Sequence, residues 1–216
     1  MELVNIHSHF TKSSPNEWVL QNLAIQDGVP TDVPISTGWH PWDLLKIPEE
    51  DAKLKMEQNY PMPNVLAIGE CGLDKFIPIE ISKQLEVLAW HVEWSEALQK
   101  PLILHLVGYY EEFISLKRKF QPKQPWLVHG FQKKDALAKQ LTNAGCILSF
   151  GKPLMQKDSL KNVLLLQKNQ LFFFETDMQT DVSILQLYEE GAKILGVSLE
   201  KLVDIIQENK KQFFNL

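Results

Sequence analysis

The chain has 216 residues, 44% of them hydrophobic, which is enough to bury one substantial core, and single α/β barrels reach this size. Its net charge of -5 argues against a broad basic surface for non-specific nucleic-acid binding. Its single arginine, Arg118, nearly removes bidentate phosphate clamping, so any phosphate falls to lysine, backbone N–H groups or metal.

Eight short apolar runs read as strands, over 2–7, 18–25, 33–39, 64–70, 101–106, 125–130, 145–150 and 171–176. From the fourth run onward the gaps carry helical spacing. In 80–100, Ile81, Leu85, Leu88, Ala89, Val92 and Leu98 recur at mostly three to four residues, and Pro101 opens the next strand. The stretches 109–119, 133–144, 155–168 and 181–195 read the same way, and 198–214 opens on Ser198 as N-cap with Glu200 in the first turn. Strand and helix in alternation imply a parallel sheet, and eight strands imply a TIM-type (β/α)8 barrel, α/β in class. Between His9 and Gly38 there is no room for full crossover helices, so the barrel is expected to be shortened or distorted there. No linker or repeat divides the chain, and 1–216 is expected to be a single domain.

The ends of these runs carry the chemistry. His7 and His9 close the first run, Glu70 the fourth, His105 the fifth, His129 the sixth and Asp177 the eighth. A buried strand has no reason of its own to end in an ionisable group. Five strands doing so with metal-ligand side chains point to a shared metal site. His7 and His9 are two apart, so both point to one side of a strand and can reach one ion. Glu70 can bridge two ions because its oxygens diverge. A plausible division places His7, His9, Glu70 and Asp177 on one ion, and Glu70, His105 and His129 on the other. Mixed imidazole and carboxylate ligation suits zinc, manganese or iron, and magnesium where water completes the shell. Two such ions serve hydrolysis by a bound water, with Asp177 as general base. No serine or cysteine stands in a nucleophile motif.

These motifs, in this order, resemble the TatD family of metal-dependent deoxyribonucleases in the amidohydrolase superfamily. Asn5-Ile6-His7-Ser8-His9 resembles the family's opening D-x-H-x-H, and Thr37-Gly38-Trp39-His40-Pro41-Trp42 its G-x-H-P segment. Ala67-Ile68-Gly69-Glu70-Cys71-Gly72-Leu73-Asp74 resembles A-I-G-E-x-G-L-D, Pro101-Leu102-Ile103-Leu104-His105 resembles P-[VL]-x-[IL]-H, and His129-Gly130-Phe131 resembles H-x-F. Glu175-Thr176-Asp177 resembles E-T-D, and Asn209 with Phe214 the terminal N-x-x-x-x-F. The resemblance implies a TIM-type barrel with His7, His9, Glu70, His105, His129 and Asp177 as ligands. It implies two divalent ions (Mg²⁺, Mn²⁺ or Zn²⁺) and phosphodiester hydrolysis, 3′ to 5′ on DNA. Asp177 and Glu70 are the expected catalytic pair.

Four places depart from the family pattern. Asn5 replaces the first aspartate, Leu106-Val107 follows His105 where a polar residue and arginine are usual, Met178-Gln179 follows Asp177 in place of Ser-Pro, and the stretch from His9 to Gly38 is short. They leave the ligand set complete and weaken the phosphate contacts, as in compact members of the family.

Other residues fall around this set. His40, before Pro41, is expected behind the ligands or on substrate, with a capping role as the plainer alternative. Asp74 is placed to orient a ligand histidine or its own loop, and Glu175 to support the site or bind a barrel lysine. Lys152 is the candidate phosphate contact, with a solvated loop lysine as the plainer alternative, and Lys133 and Lys134 are weaker candidates. Trp39 and Trp42 flank His40 and can stack on a base or wall a pocket. Trp90 and Trp94 fit helix packing, and His91 between them fits packing or surface.

The expected partner is DNA or another phosphodiester, with the protein a monomer off the membrane. Two other readings stay open: a superfamily hydrolase of a small ester, amide or phosphoester, and an inactive partner module. Cys71 and Cys146 form no framework pattern and are expected as reduced thiols. No signal peptide is legible at the N-terminus, and a cytoplasmic location is expected.

Overall fold

In the computed structural model the described residues are 2–11 and 14–215. They fall into two compact units: residues up to Gln21 with His129 onward, and Asn22–Val128.

The first unit holds β1 (Leu3–Ser8), β7 (Cys146–Phe150) and β8 (Phe172–Phe174), with the start of β2 (Glu17–Ala24). Every residue of β1 is buried, as expected of a parallel strand covered on both faces. It pairs in parallel with β2, Leu3 opposite Glu17, and on its other side meets the end of β8. There the Asp177 N–H donates to His7 O (3.0 Å) and the His9 N–H to Asp177 O (3.1 Å). The helices of this unit are α4 (Asp135–Asn143), α5 (Pro153–Gln156), α6 (Asp158–Leu166), α7 (Ile184–Leu195) and α8 (Leu199–Phe214). Tyr188 of α7 clasps β1, accepting from Val4 N–H (3.0 Å) and donating to Val4 O (3.1 Å). Asn209 of α8, buried, donates to Phe172 O (3.0 Å), which ties the last helix to β8. Phe214 packs on Trp18, ring centroids 5.6 Å apart.

The second unit holds β3 (Ile35–Gly38), a 3-10 turn at Pro41–Asp43, α1 (Glu49–Asn59), β4 (Val65–Asp74), α2 (Ile81–Leu98), β5 (Leu102–Val107), α3 (Tyr110–Phe120) and β6 (Trp126–Val128). Its ladders β3–β4, β4–β5 and β5–β6 are all parallel. Buried Gln84 of α2 fixes the end of β4, accepting from Asp74 N–H (2.8 Å) and donating to Asp74 O (3.1 Å).

The strands follow one another in chain order, β1 to β8, the order of a TIM-type (β/α)8 barrel. Among the described residues no helix lies between β1 and β2 or between β2 and β3, which is the expected shortening. Helix α1 lies where no helical pattern stood out. It buries only Ala52, Met56 and Asn59, too narrow a stripe to read among its charges. The expected helix over 155–168 is two pieces, broken at Lys157, whose backbone is extended. Strands β6 and β8 are shorter than read, so His129, Glu175 and Asp177 stand just beyond their ladders.

Candidate metal centre

Each unit gathers one set of three metal donors. In the first, a ligand atom each from His7, His129 and Asp177 all lie within 4.8 Å of one another. His7, at the end of β1, is fully buried, and its ring lies 4.3 Å from that of His129 and 5.3 Å from that of His9. Asp177 Oδ1 is 3.7 Å from His7 Nε2 and 3.5 Å from His9 Nε2. The side chains of His9 and Asp177 are 30% and 38% exposed, so water reaches this edge of the cluster. Asp177 sits in the left-handed region at φ 50, a conformation aspartate tolerates better than most residues. The β1–β8 hydrogen bonds at its N–H and C=O hold it there.

Behind these donors lies a polar layer. Glu175 Oε1 is 3.4 Å from His129 Nδ1, and its other oxygen accepts from the Ser149 hydroxyl. Asn5 Nδ2 donates to Glu17 Oε1 (2.9 Å) and to the Thr176 hydroxyl (2.8 Å), and its Oδ1 accepts from Thr176 N–H (3.0 Å). Thr176 in turn donates to Ser8 Oγ (3.1 Å). The asparagine that departs from the family pattern thus fastens Glu17 and the Glu-Thr-Asp turn onto β1. An aspartate there has no hydrogens to offer Glu17.

In the second unit His40, Glu70 and His105 form the other set, again within 4.8 Å. Glu70 closes a tightly built stretch of β4. Gly69 and Gly72 take φ +128 and +145, and a Cβ on either would lie 2.1 or 2.0 Å from the carbonyl oxygen of Ile103 or His105 on β5. Only glycine allows β4 and β5 to approach this closely, which gives the two glycines of the motif their reason. The Glu70 N–H donates to Asn22 Oδ1 (2.9 Å). Its Oε1 lies 3.2 Å from His40 Nε2 and 3.0 Å from His105 Nδ1. The far nitrogen of His105, Nε2, is 3.0 Å from Asp74 Oδ2. Carboxylates placed this way behind a histidine fix its ring and its tautomer.

His40 also caps the 3-10 turn, its Nδ1 accepting from Trp42 N–H (3.1 Å). Burial pulls the His40 pKa below 6.5 despite the raising influence of Glu70, and with Nδ1 accepting from Trp42 the neutral ring carries its proton on Nε2, facing Glu70 Oε1. For Asp74 burial works towards a higher pKa. Hydrogen bonds from Phe76 N–H, the Trp42 indole and His105 outweigh it and hold the carboxyl below its usual range.

The structure brings most of the expected residues into these clusters. It sets His129 with His7 and Asp177. It sets His40, expected behind the ligands or on substrate, beside Glu70 and His105, with its Nε2 3.2 Å from Glu70 Oε1. His40 follows β3 as His129 and Asp177 follow β6 and β8. Lys152, expected at a phosphate, is engaged by Asp181 Oδ2 at 2.5 Å. His91 is fully buried between Trp39 N–H, which donates to its Nε2 (3.0 Å), and Val87 O, 2.7 Å from its Nδ1. Neither cysteine is in a disulfide. No helix among the described residues is long and apolar enough to cross a membrane.

The donor chemistry of both sets fits a divalent ion of the zinc, manganese or magnesium kind: imidazole nitrogens with a carboxylate, converging from separate strands and backed by carboxylates.

The family profile described as TatD related DNase matches residues 4–215. The chain is 26% identical over 197 residues to a protein of Bacillus subtilis (strain 168) named "Uncharacterized metal-dependent hydrolase YabD", covering 83% of this chain and 76% of that one. Among solved structures it is similar to YJJV, a TatD homolog from Escherichia coli K12, with a TM-score of 0.82 at 16% identity over 99% of this chain and 98% of that one. It is also similar to a hydrolase TatD family protein from Entamoeba histolytica, with a TM-score of 0.74 at 15% identity over 98% and 97% of the two chains. At these identities the structural likeness establishes the TIM-type fold.

Proposed function

The chain belongs to the TatD related DNase family, and on that premise we propose that it is a metal-dependent hydrolase that cleaves phosphodiester bonds in DNA, shortening strands from the 3′ end. The observation that carries this reading is the convergence of metal-type side chains in two clusters, His7–His129–Asp177 and Glu70–His105 with His40 beside them.

Divalent ions held there would acidify a bound water towards neutrality and draw off the charge that develops on a phosphoryl oxygen. Asp177 is the proton acceptor in this account. Its carboxylate is solvent-accessible, and its backbone is held by β1. Glu70, buried, is positioned by its backbone bond to Asn22 and by the two histidines at its Oε1. Glu175 and Asp74 act behind His129 and His105, holding the rings rather than touching substrate. His9 stands at the open edge, 3.5 Å from Asp177 Oδ1, where it can complete the first set or meet substrate.

The test is Asp177→Asn beside wild type, on 5′-labelled and 3′-labelled single-stranded DNA with Mg²⁺, Mn²⁺ and Zn²⁺ in turn. The proposal expects metal-dependent shortening from the 3′ end by wild type and a loss of about 10² or more in rate for the variant. Wild-type rates in the variant would refute the assignment of Asp177. A second reading has one observation in its favour. Leu106 and Val107 follow His105 where an arginine would meet phosphate, which suits a smaller, less anionic ester. Turnover of small esters or amides with none on DNA would select it.

A further inference from the structure

Two large aromatic side chains stand in water beside the second donor set. Trp42 is 56% exposed and Phe76 77%. Both are anchored through Asp74, Trp42 by its ring and Phe76 by its backbone. The Trp42 indole N–H donates to Asp74 Oδ2 (2.8 Å), and the Phe76 N–H donates to Asp74 Oδ1 (2.8 Å). The same carboxylate lies 3.0 Å from His105 Nε2. The Trp42 ring meets His40 and His105 edge to face, with centroids 5.1 and 5.8 Å away. Asp74, only 3% exposed, thus holds the Trp42 ring and the Phe76 backbone beside His105 and leaves both rings facing solvent.

A cation completes the group. Lys75 Nζ lies 5.0 Å from the Phe76 ring centroid. Its stem runs across Gly108, where a Cβ would come within 2.6 Å of Lys75 Cδ, and its N–H donates to Val107 O (2.8 Å). The lysine therefore sits over one face of the Phe76 ring, which is still 77% exposed. With one arginine in the chain and a net charge of -5, little affinity for a polyanion can come from charge alone. Stacking on an aromatic ring is the other general source of affinity for nucleic acid. It needs an unpaired base, and it tolerates any sequence.

We propose that Trp42 and Phe76 form a stacking platform for an unpaired base of a single-stranded nucleic acid, with Lys75 meeting a neighbouring phosphate. This rests on the nuclease reading above and narrows its substrate to single strands or frayed ends. Inside duplex DNA the bases are stacked on both neighbours and offer no free face.

The experiment is equilibrium binding by fluorescence anisotropy in excess chelator, where no cleavage occurs. It compares a labelled thymidine oligonucleotide with an abasic oligomer of the same length and phosphate count. Wild type is expected to prefer the base-bearing strand by about tenfold. Trp42→Ala and Phe76→Ala should each lose most of that preference, and Trp42→Phe should keep part of it. Lys75→Ala should weaken both ligands alike and lower the salt dependence by about one phosphate contact. Phe76 is exposed, so Phe76→Ala keeps the test sound if a Trp42 variant folds poorly. Equal binding of the two oligomers by wild type, or an unchanged preference in Phe76→Ala, would overturn the platform. Shortening of DNA by wild type without that preference would sink the platform and leave the nuclease. A Trp42-dependent preference without DNA cleavage would support the platform and sink the nuclease.

Discussion

Asn5 and His91 show how single side chains set the limits of this molecule. Asn5 gives both its amide hydrogens to Glu17 and Thr176, in a position 1% exposed. Asn5→Asp would place a second carboxylate against Glu17 with no hydrogen between them unless one group keeps a proton. That raises the pair's pKa above the unfolded value, so the unfolded chain holds fewer protons at neutral pH and stability falls as pH rises. Asn5→Asp should cost about 1–3 kcal/mol at pH 8 and less at pH 5.5, read from urea midpoints. A constant or inverted difference would contradict the network. His91 has the opposite sign. Burial depresses its pKa from 6.5 to about 4, although its bond to Val87 O works against this. Folding favours the neutral ring, whose stabilisation is present above pH 6.5 and is lost as pH falls towards 4, to a limit of roughly 3 kcal/mol. Urea titrations of wild type and His91→Gln between pH 7 and 4 should therefore converge, and parallel curves would show that His91 does not titrate this way.

Among the elements, β4 carries the sharpest constraint. A side chain at Gly72 would strike the His105 carbonyl and would also need φ +145, so Gly72→Ala should destabilise by more than about 3 kcal/mol or prevent folding. Gly28, with nothing within 4 Å of an added Cβ, should accept alanine with little change in thermal midpoint. A Gly72→Ala protein as stable as wild type would mean that β4 and β5 can separate freely. This strand also shows what a sequence can carry. The eight strands were legible because parallel strands are apolar throughout, and the ligand-type residues were legible because they interrupt or end such runs. Helix α1 was hidden because three buried residues cannot outweigh the charges around them. The partnership of His40 with Glu70 and His105 was hidden because which donors converge depends on register between β3, β4 and β5, and the register shifts within both β3–β4 and β4–β5. The role of Asn5 needed its partner Thr176, 171 positions away.

For the whole molecule, ion binding and stability are one measurement. Donors gathered from separate strands exist as a set only in the folded chain, so a metal held by them stabilises folding by mass action. At a hundredfold excess over Kd one ion adds about 2.7 kcal/mol, and chelation should lower Tm by roughly 5–10 °C in a domain of this size. His129→Ala should reduce that shift, since it removes a donor from the first set. An identical shift in the variant would place the ion elsewhere.

The central claim is that the two donor sets hold the ions that cleave DNA, and the most direct measurement takes metal content and strand shortening from the same samples. Wild type should hold about two ions per chain and shorten single-stranded DNA from its 3′ end. His7→Ala and Glu70→Gln should each lose bound metal and activity together. Full metal content with full activity in either variant, or a wild type that binds no metal and cleaves nothing, would contradict it.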